Sequence, residues 1–125
     1  MLQPAVNLTM NSLATWFRDG KGDTCPDDSM SFVHVADCAA QHVAAMTNEA
    51  LSGRFMSLDR SLHWNDLVPI LRAIHPAMPA SAPRAGPCRP TQFDTTRQAT
   101  LGVPVRPLEA ALKDAYDDLA RKGIL

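Results

Sequence analysis

Val6, Met10, Leu13 and Phe17 recur every three or four residues, the spacing that gathers side chains on one face of a helix. Asn7 or Thr9 is placed to cap the start and Gly20 to stop the turn, so the pattern predicts a helix over about Leu8 to Asp19. Lys21 to Ser29 has turn composition, with Gly22, Pro26 and the pair Asp27 and Asp28, and leads into a strand over Met30 to Val35. In a second helix Asp37 caps or complements the positive N-terminal end. Ala39, Val43 and Met46 form its apolar stripe, and it is expected to end between Thr47 and Ser52.

After Gly53, Arg54 to Leu58 reads as a short strand. Ser61 to Asn65 then offers caps for a helix whose apolar face is Leu67, Ile70, Leu71 and Ile74, with Pro69 predicting a kink or a late start. Pro76, Pro79, Pro83, Pro87 and Pro90, together with Gly86, exclude a continuous helix or a central strand and make 76–90 an irregular surface connection. Phe93 and Asp94 begin renewed structure. Pro107 opens a last helix with the core face Leu108, Leu112, Ala115 and Leu119, and Arg121, Lys122 and Gly123 suit its C-terminal end.

The 125 residues are enough for one domain with a modest core, and too few follow the proline-rich stretch for a second. A formal charge of −1 without charged blocks gives no footprint for nucleic acid or anionic lipid. No apolar run approaches the roughly 20 residues that span a bilayer, and Met1 to Asn7 lacks the basic flank of a signal peptide. Cys25, Cys38 and Cys88 are irregularly spaced and suit a reducing compartment. The chain reads as soluble and cytoplasmic.

Several groupings suggest chemistry and are weighed against simpler roles. His34, Cys38 and His42 recur every four residues, but His34 falls in the expected strand and no fourth ligand has motif spacing, so no metal is expected. A Cys38 nucleophile paired with His42 needs an electropositive surround that only Arg18 and Arg54 are placed to supply. Asp27 with Asp28 and Asp117 with Asp118 are adjacent, point to different faces and read as solvated surface. Trp16, Phe17 and Trp64 line either a pocket for a planar molecule or, more simply, the core. Arg84 and Arg89 are too sparse for a phosphate site.

A family resemblance gathers these pieces. Met1 to Asn7, MLQPAVN, resembles the stretch after the last cofactor-side strand of cinnamoyl-CoA and dihydroflavonol reductases. These belong to the extended short-chain dehydrogenases, within the NAD-dependent epimerase/dehydratase superfamily. Phe32 to His42, FVHVADCAAQH, is similar to the family's strand followed by an Asp-capped helix, and Gly53 to Leu58 to its next strand. Leu67 to Pro76, LVPILRAIHP, resembles the following helix and turn, Phe93 to Gly102 the Phe-Asp segment before Leu-Gly, and Leu108 to Leu125 the family's close. Each phrase is loose, but all stand in order with the right gaps.

The resemblance implies the substrate-side C-terminal subdomain, residues 1–125, with one strand of a doubly wound sheet and with the Rossmann half that holds NADP(H) absent. No G-x-x-G-x-x-G loop lies between a strand and a helix. The catalytic Tyr with a Lys four residues on is lacking too, since the single Tyr116 is followed by Asp117, Asp118, Leu119 and Ala120. No catalytic residue is therefore assigned. Thr9 matches a family position whose hydroxyl contacts NADP, and Gln3 and Asn7 match positions near the nicotinamide end and the substrate mouth; capping remains the alternative for Asn7 and Thr9. Where cinnamoyl-CoA reductases carry a His and a Lys on the first helix and an Arg before the Asp of the second, this chain has Ser12, Thr15 and Ala36, which disfavours a CoA thioester.

The expectation is an α/β, helix-rich fold of about five helices and two or three short strands, the C-terminal portion of a Rossmann-type reductase. It implies a part of an NADP(H)-dependent reductase of small carbonyl compounds, ketone, aldehyde or flavonoid-like, inactive alone and partnered by its missing half or another protein. The alternative is a noncatalytic binding or interaction protein built on the same fold.

Overall fold

The computed structural model describes residues 6–125. Gln3 lies outside the described residues. The first helix, α1 (Leu8–Asp19), has the bounds its periodicity predicts. Asn7 caps it, its side-chain Oδ1 accepting from the Met10 N–H at 2.9 Å. Gly20 ends it with φ 71°, and a Cβ there would meet Pro79 at 3.2 Å, so both the backbone angle and the packing call for glycine.

Two four-residue strands, β1 (Ser29–Phe32) and β2 (Arg60–His63), pair antiparallel with Met30 opposite Leu62 and Phe32 opposite Arg60. Met30, Phe32 and Leu62 pack against the core, as alternation within a pleated pair requires. The strand expected over Arg54–Leu58 is displaced. That segment has no ladder partner among the described residues, and the strand forms two residues later, where β1 supplies one. The two strands make an antiparallel pair, and with five helices among the described residues they give the expected helix-rich fold with short strands.

Between the strands lies α2 (Val35–Thr47), and the next helix, α3 (Trp64–Ile74), includes Pro69 within its range and does not start late. Caps at both helices are histidines: His34 Nδ1 accepts from the Ala36 N–H at 3.1 Å, and His63 Nδ1 from the Asn65 N–H at 3.1 Å. Asp37, expected to cap or to complement the positive N-terminal end, does not cap but sits in the first turn of α2, the second of these, and has a further task described below. Among residues 76–90 there is neither helix nor strand, only an isolated bridge from Ala82 to Thr24. A short turn of helix, α4 (Thr96–Ala99), precedes α5 (Leu108–Arg121). The latter closes through Gly123 at φ 67°, with the Ile124 N–H donating to the Leu119 carbonyl and the Gly123 N–H to that of Ala120.

The core lies where α1 and α3 meet α5. Phe17, Leu67, Leu71, Leu108, Leu112 and Leu119 are buried within it, and Met78 reaches in from the proline-rich connection. Trp16 and Trp64 meet edge to face with centroids 4.6 Å apart, and the Lys21 ammonium stands 5.0 and 4.7 Å from the two rings. These aromatics, with Phe17, form core, leaving no slot between them for a planar ligand.

Candidate cofactor and substrate rim

The start of α1 carries the two described site residues. Asn7 spends its carbonyl oxygen on the Met10 N–H, which fixes the first turn. Thr9 is exposed, and its hydroxyl has no hydrogen-bond partner among the described residues. Capping is thus assigned to Asn7, and the Thr9 hydroxyl is left available to a ligand. Farther along the helix Thr15 turns its hydroxyl back onto the Asn11 carbonyl at 2.9 Å.

At the start of α2 a charged cluster binds three segments. Asp37 is buried, its Oδ2 accepts from the Arg106 N–H at 2.8 Å, and its Oδ1 stands 2.9 Å from the Arg106 guanidinium. His34 shares this cluster: its Nδ1 is 2.5 Å from Arg106 Nη1 and its Nε2 3.2 Å from Asp114 Oδ2. The Arg106 guanidinium is therefore matched by Asp37. Both ring nitrogens of His34 are engaged, Cys38 Sγ and His42 Nδ1 lie 3.7 Å apart, and no group of three His, Cys, Asp or Glu among the described residues is placed to hold a metal. His42 Nδ1 lies 2.7 Å from the Cys38 carbonyl, so the ring serves the helix backbone.

Tyr116 has a structural place. Its hydroxyl meets His75 Nδ1 at 3.0 Å and its ring packs edge to face on Phe17 at 4.9 Å, tying α5 to the end of α3 and to α1. Of the adjacent carboxylates, Asp27 is exposed and pairs with Arg84 at 3.2 Å, while Asp28 accepts from the Ser29 N–H.

A broad apolar face is left uncovered. Val43 is 59% and Met46 84% exposed on α2, and Ala39 is exposed beside them, so the expected stripe faces away from this core. The reverse face of the helix buries Asp37 and Gln41. The Gly53–Leu58 segment holds one residue in β-like bonding: Gln98, buried, accepts from the Leu58 N–H at 3.1 Å and donates to its carbonyl at 2.7 Å.

On another side, a cavity of about 480 Å³ opens between α3 and the proline-rich connection, lined by Cys25, Asn65, Val68, Arg72, Ser81 and the rings of Pro69, Pro76 and Pro83. Burial pushes the Cys25 thiol up, so it is held as the neutral thiol and is a poor nucleophile. Sequence periodicity does not announce this cavity, because Ser81 and Pro83 come from a segment without periodicity.

Comparison with solved structures places the fold. Across 95% of its length the chain superposes, with a TM-score of 0.68 and 18% identity, on 38% of a reductase subjected to structure-guided engineering against substrate inhibition in asymmetric catalysis. A second solved structure gives a TM-score of 0.61 at 16% identity. The fold is thus shared with a portion of these longer chains.

Sequence carries the assignment further. The chain is 30% identical to cinnamoyl-CoA reductase 1 of Oryza sativa subsp. japonica over 132 aligned positions, covering 100% of this chain and 38% of the rice protein. It is 29% identical to cinnamoyl-CoA reductase CAD2 of Medicago truncatula, covering 98% of this chain and 38% of that protein. Tetraketide alpha-pyrone reductase 2 of Arabidopsis thaliana is 28% identical over 80% of this chain and 32% of its own length. No family model matches. The chain is similar along its whole length to the C-terminal part of cinnamoyl-CoA reductase-type proteins, as the collinear motifs implied, and spans 38% of the length of the first two relatives.

Proposed function

We propose that this chain is the substrate-side portion of an NADP(H)-dependent reductase of small carbonyl compounds, acting in the cytoplasm once joined to a nucleotide-binding half. The observation that carries the reading is the uncovered apolar stripe of α2, in a chain collinear with 38% of longer reductases. A helix with an apolar stripe turned out of its own core has the form of a face meant to meet another body. The described helices include none long and apolar enough to cross a membrane, and Cys25, Cys38 and Cys88 are free thiols.

Within the joined enzyme the cofactor supplies the hydride. Thr9, whose hydroxyl is exposed and without a partner among the described residues, fits a hydrogen bond at the cofactor's rim; the family resemblance assigns Gln3 and Asn7 to the substrate mouth, and Asn7 also holds the first turn of α1. The reading favours a small ketone, aldehyde or flavonoid-like carbonyl over a CoA thioester. Ser12, Thr15 and Ala36 are uncharged, and the cation beside Ala36, Arg106, is matched by Asp37.

The test is co-expression of this chain with the N-terminal nucleotide-binding half of the rice relative. Association of the two, and NADPH oxidation dependent on an aromatic aldehyde or ketone, is the expected result. A chain that stays monodisperse and neither associates nor supports turnover would overturn the reading in favour of a noncatalytic binding protein.

A further inference from the structure

We propose that the cavity between α3 and the proline-rich connection is a binding site for a small organic anion, a carboxylate on a compact apolar body, separate from the rim at the start of α1. The cavity, about 480 Å³, is of the size that takes small ligands. Its walls are Val68, Ala73 and the rings of Pro69, Pro76 and Pro83, which are rigid, so little side-chain freedom is lost when a ligand enters.

Three observations give the ligand its chemistry. Arg72 lines the cavity, is exposed, and forms no ion pair or hydrogen bond among the described residues. No carboxylate lines the cavity and Cys25 is held neutral, so the lining carries a net positive charge from Arg72 alone. Ser81 is 9% exposed, and its buried Oγ has no partner among the described residues. A buried hydroxyl without a partner is unfavourable, and a ligand acceptor oxygen would relieve it. Asn65, the remaining polar lining group, is already committed, donating to the Arg84 carbonyl at 3.0 Å and accepting from the Arg84 N–H at 2.9 Å. That pair fastens the connection against α3 and holds the cavity open. A free guanidinium, an unsatisfied hydroxyl and preformed apolar walls select a carboxylate with a flat or compact hydrocarbon body.

Titration of the whole 125-residue chain with benzoate, and separately with benzyl alcohol, followed by amide chemical shifts, tests the site. The expected result is saturable binding of benzoate, with shifts confined to α3 and residues 81–84, and binding of benzyl alcohol weaker by about tenfold, the loss expected for one charge-assisted contact. Arg72→Gln, at an exposed position, is expected to weaken benzoate by a similar factor and Ser81→Ala by a smaller one. Retention of the Trp16–Trp64 near-ultraviolet dichroism checks that each variant is folded. Equal affinity for benzoate and benzyl alcohol in the wild-type chain, unsaturable benzoate shifts, or unchanged affinity in folded Arg72→Gln would each overturn the proposal. The rim at α1 plays no part in this experiment, so its outcome stands apart from that of the reductase reading.

Discussion

Gln98 closes both backbone hydrogen bonds of Leu58, accepting from its N–H at 3.1 Å and donating to its carbonyl at 2.7 Å across forty residues of sequence. A side-chain amide here does the work of a neighbouring strand. Gln98→Ala should leave two buried backbone groups without partners and lower stability by ~2–4 kcal/mol, measured by urea denaturation. A loss below ~0.5 kcal/mol would mean that water replaces the amide.

At the start of α1 the two candidate residues should separate cleanly. Asn7→Ala removes the cap on the Met10 N–H and is expected to cost about 1 kcal/mol, whereas Thr9→Ala, with no internal partner to lose, should leave thermal stability unchanged. In the enzyme joined to a nucleotide-binding half, Thr9→Ala should raise the NADP(H) Kd by several-fold. An unchanged Kd would reduce Thr9 to an ordinary surface residue.

Asp37 ties α2 to the approach of α5 through both the backbone and the guanidinium of Arg106. Asp37→Ala should destabilise by about 2 kcal/mol, discounted for the half-exposed guanidinium, and speed amide exchange at Arg106. Asp37→Asn, which keeps one acceptor for the N–H, should recover part of that loss.

Cys25 should be the slow thiol. It is buried, with Sγ directed at the Trp64 carbonyl 3.7 Å away, and its acidity is suppressed by burial. Cys38 and Cys88, half-buried, should react with a disulfide reagent in the folded chain and Cys25 only after unfolding. Because its folded pKa is raised, the stability it contributes is intact below the thiol's unfolded value, ~8.5, and is lost as pH rises through the folded value. Cys25→Ala should therefore flatten the alkaline fall in Tm, and an unaltered profile would remove the thiol as its cause.

The uncovered stripe of α2 gives a prediction with two opposite arms. Met46→Lys and Val43→Lys should leave the chain folded, since both side chains are exposed, and improve its solubility. The same changes should abolish association with a nucleotide-binding half. Retained association would place the docking face elsewhere.

How far the sequence discloses this depends on where each side chain finds its partners. The bounds of α1 are legible because its cap, Asn7, its stop, Gly20, and its stripe are local. The stripe of α2 is equally regular yet points outward, since periodicity shows that a face will be buried without showing against what. Arg54–Leu58 has strand composition but lacks a ladder, whereas Arg60–His63 becomes the strand because β1 lies opposite it. Histidine rings, uncommon as caps, hold α2 and α3, which freed Asp37 to bind Arg106 from the far end of the chain. At the site, the exposure of Thr9 follows from its position on α1, but Arg72 and Ser81 come together only through the path of the proline-rich connection.

The place of α5 in the core bears on how the polypeptide is made. Leu108, Leu112 and Leu119 are almost wholly enclosed by residues that precede them, so the helices synthesised earlier have no closed interior to fold into until Leu119 has left the ribosome. Until then α1 and α3 would emerge with Phe17 and Leu71 bare, and chaperones should hold the nascent chain until α5 is free to pack.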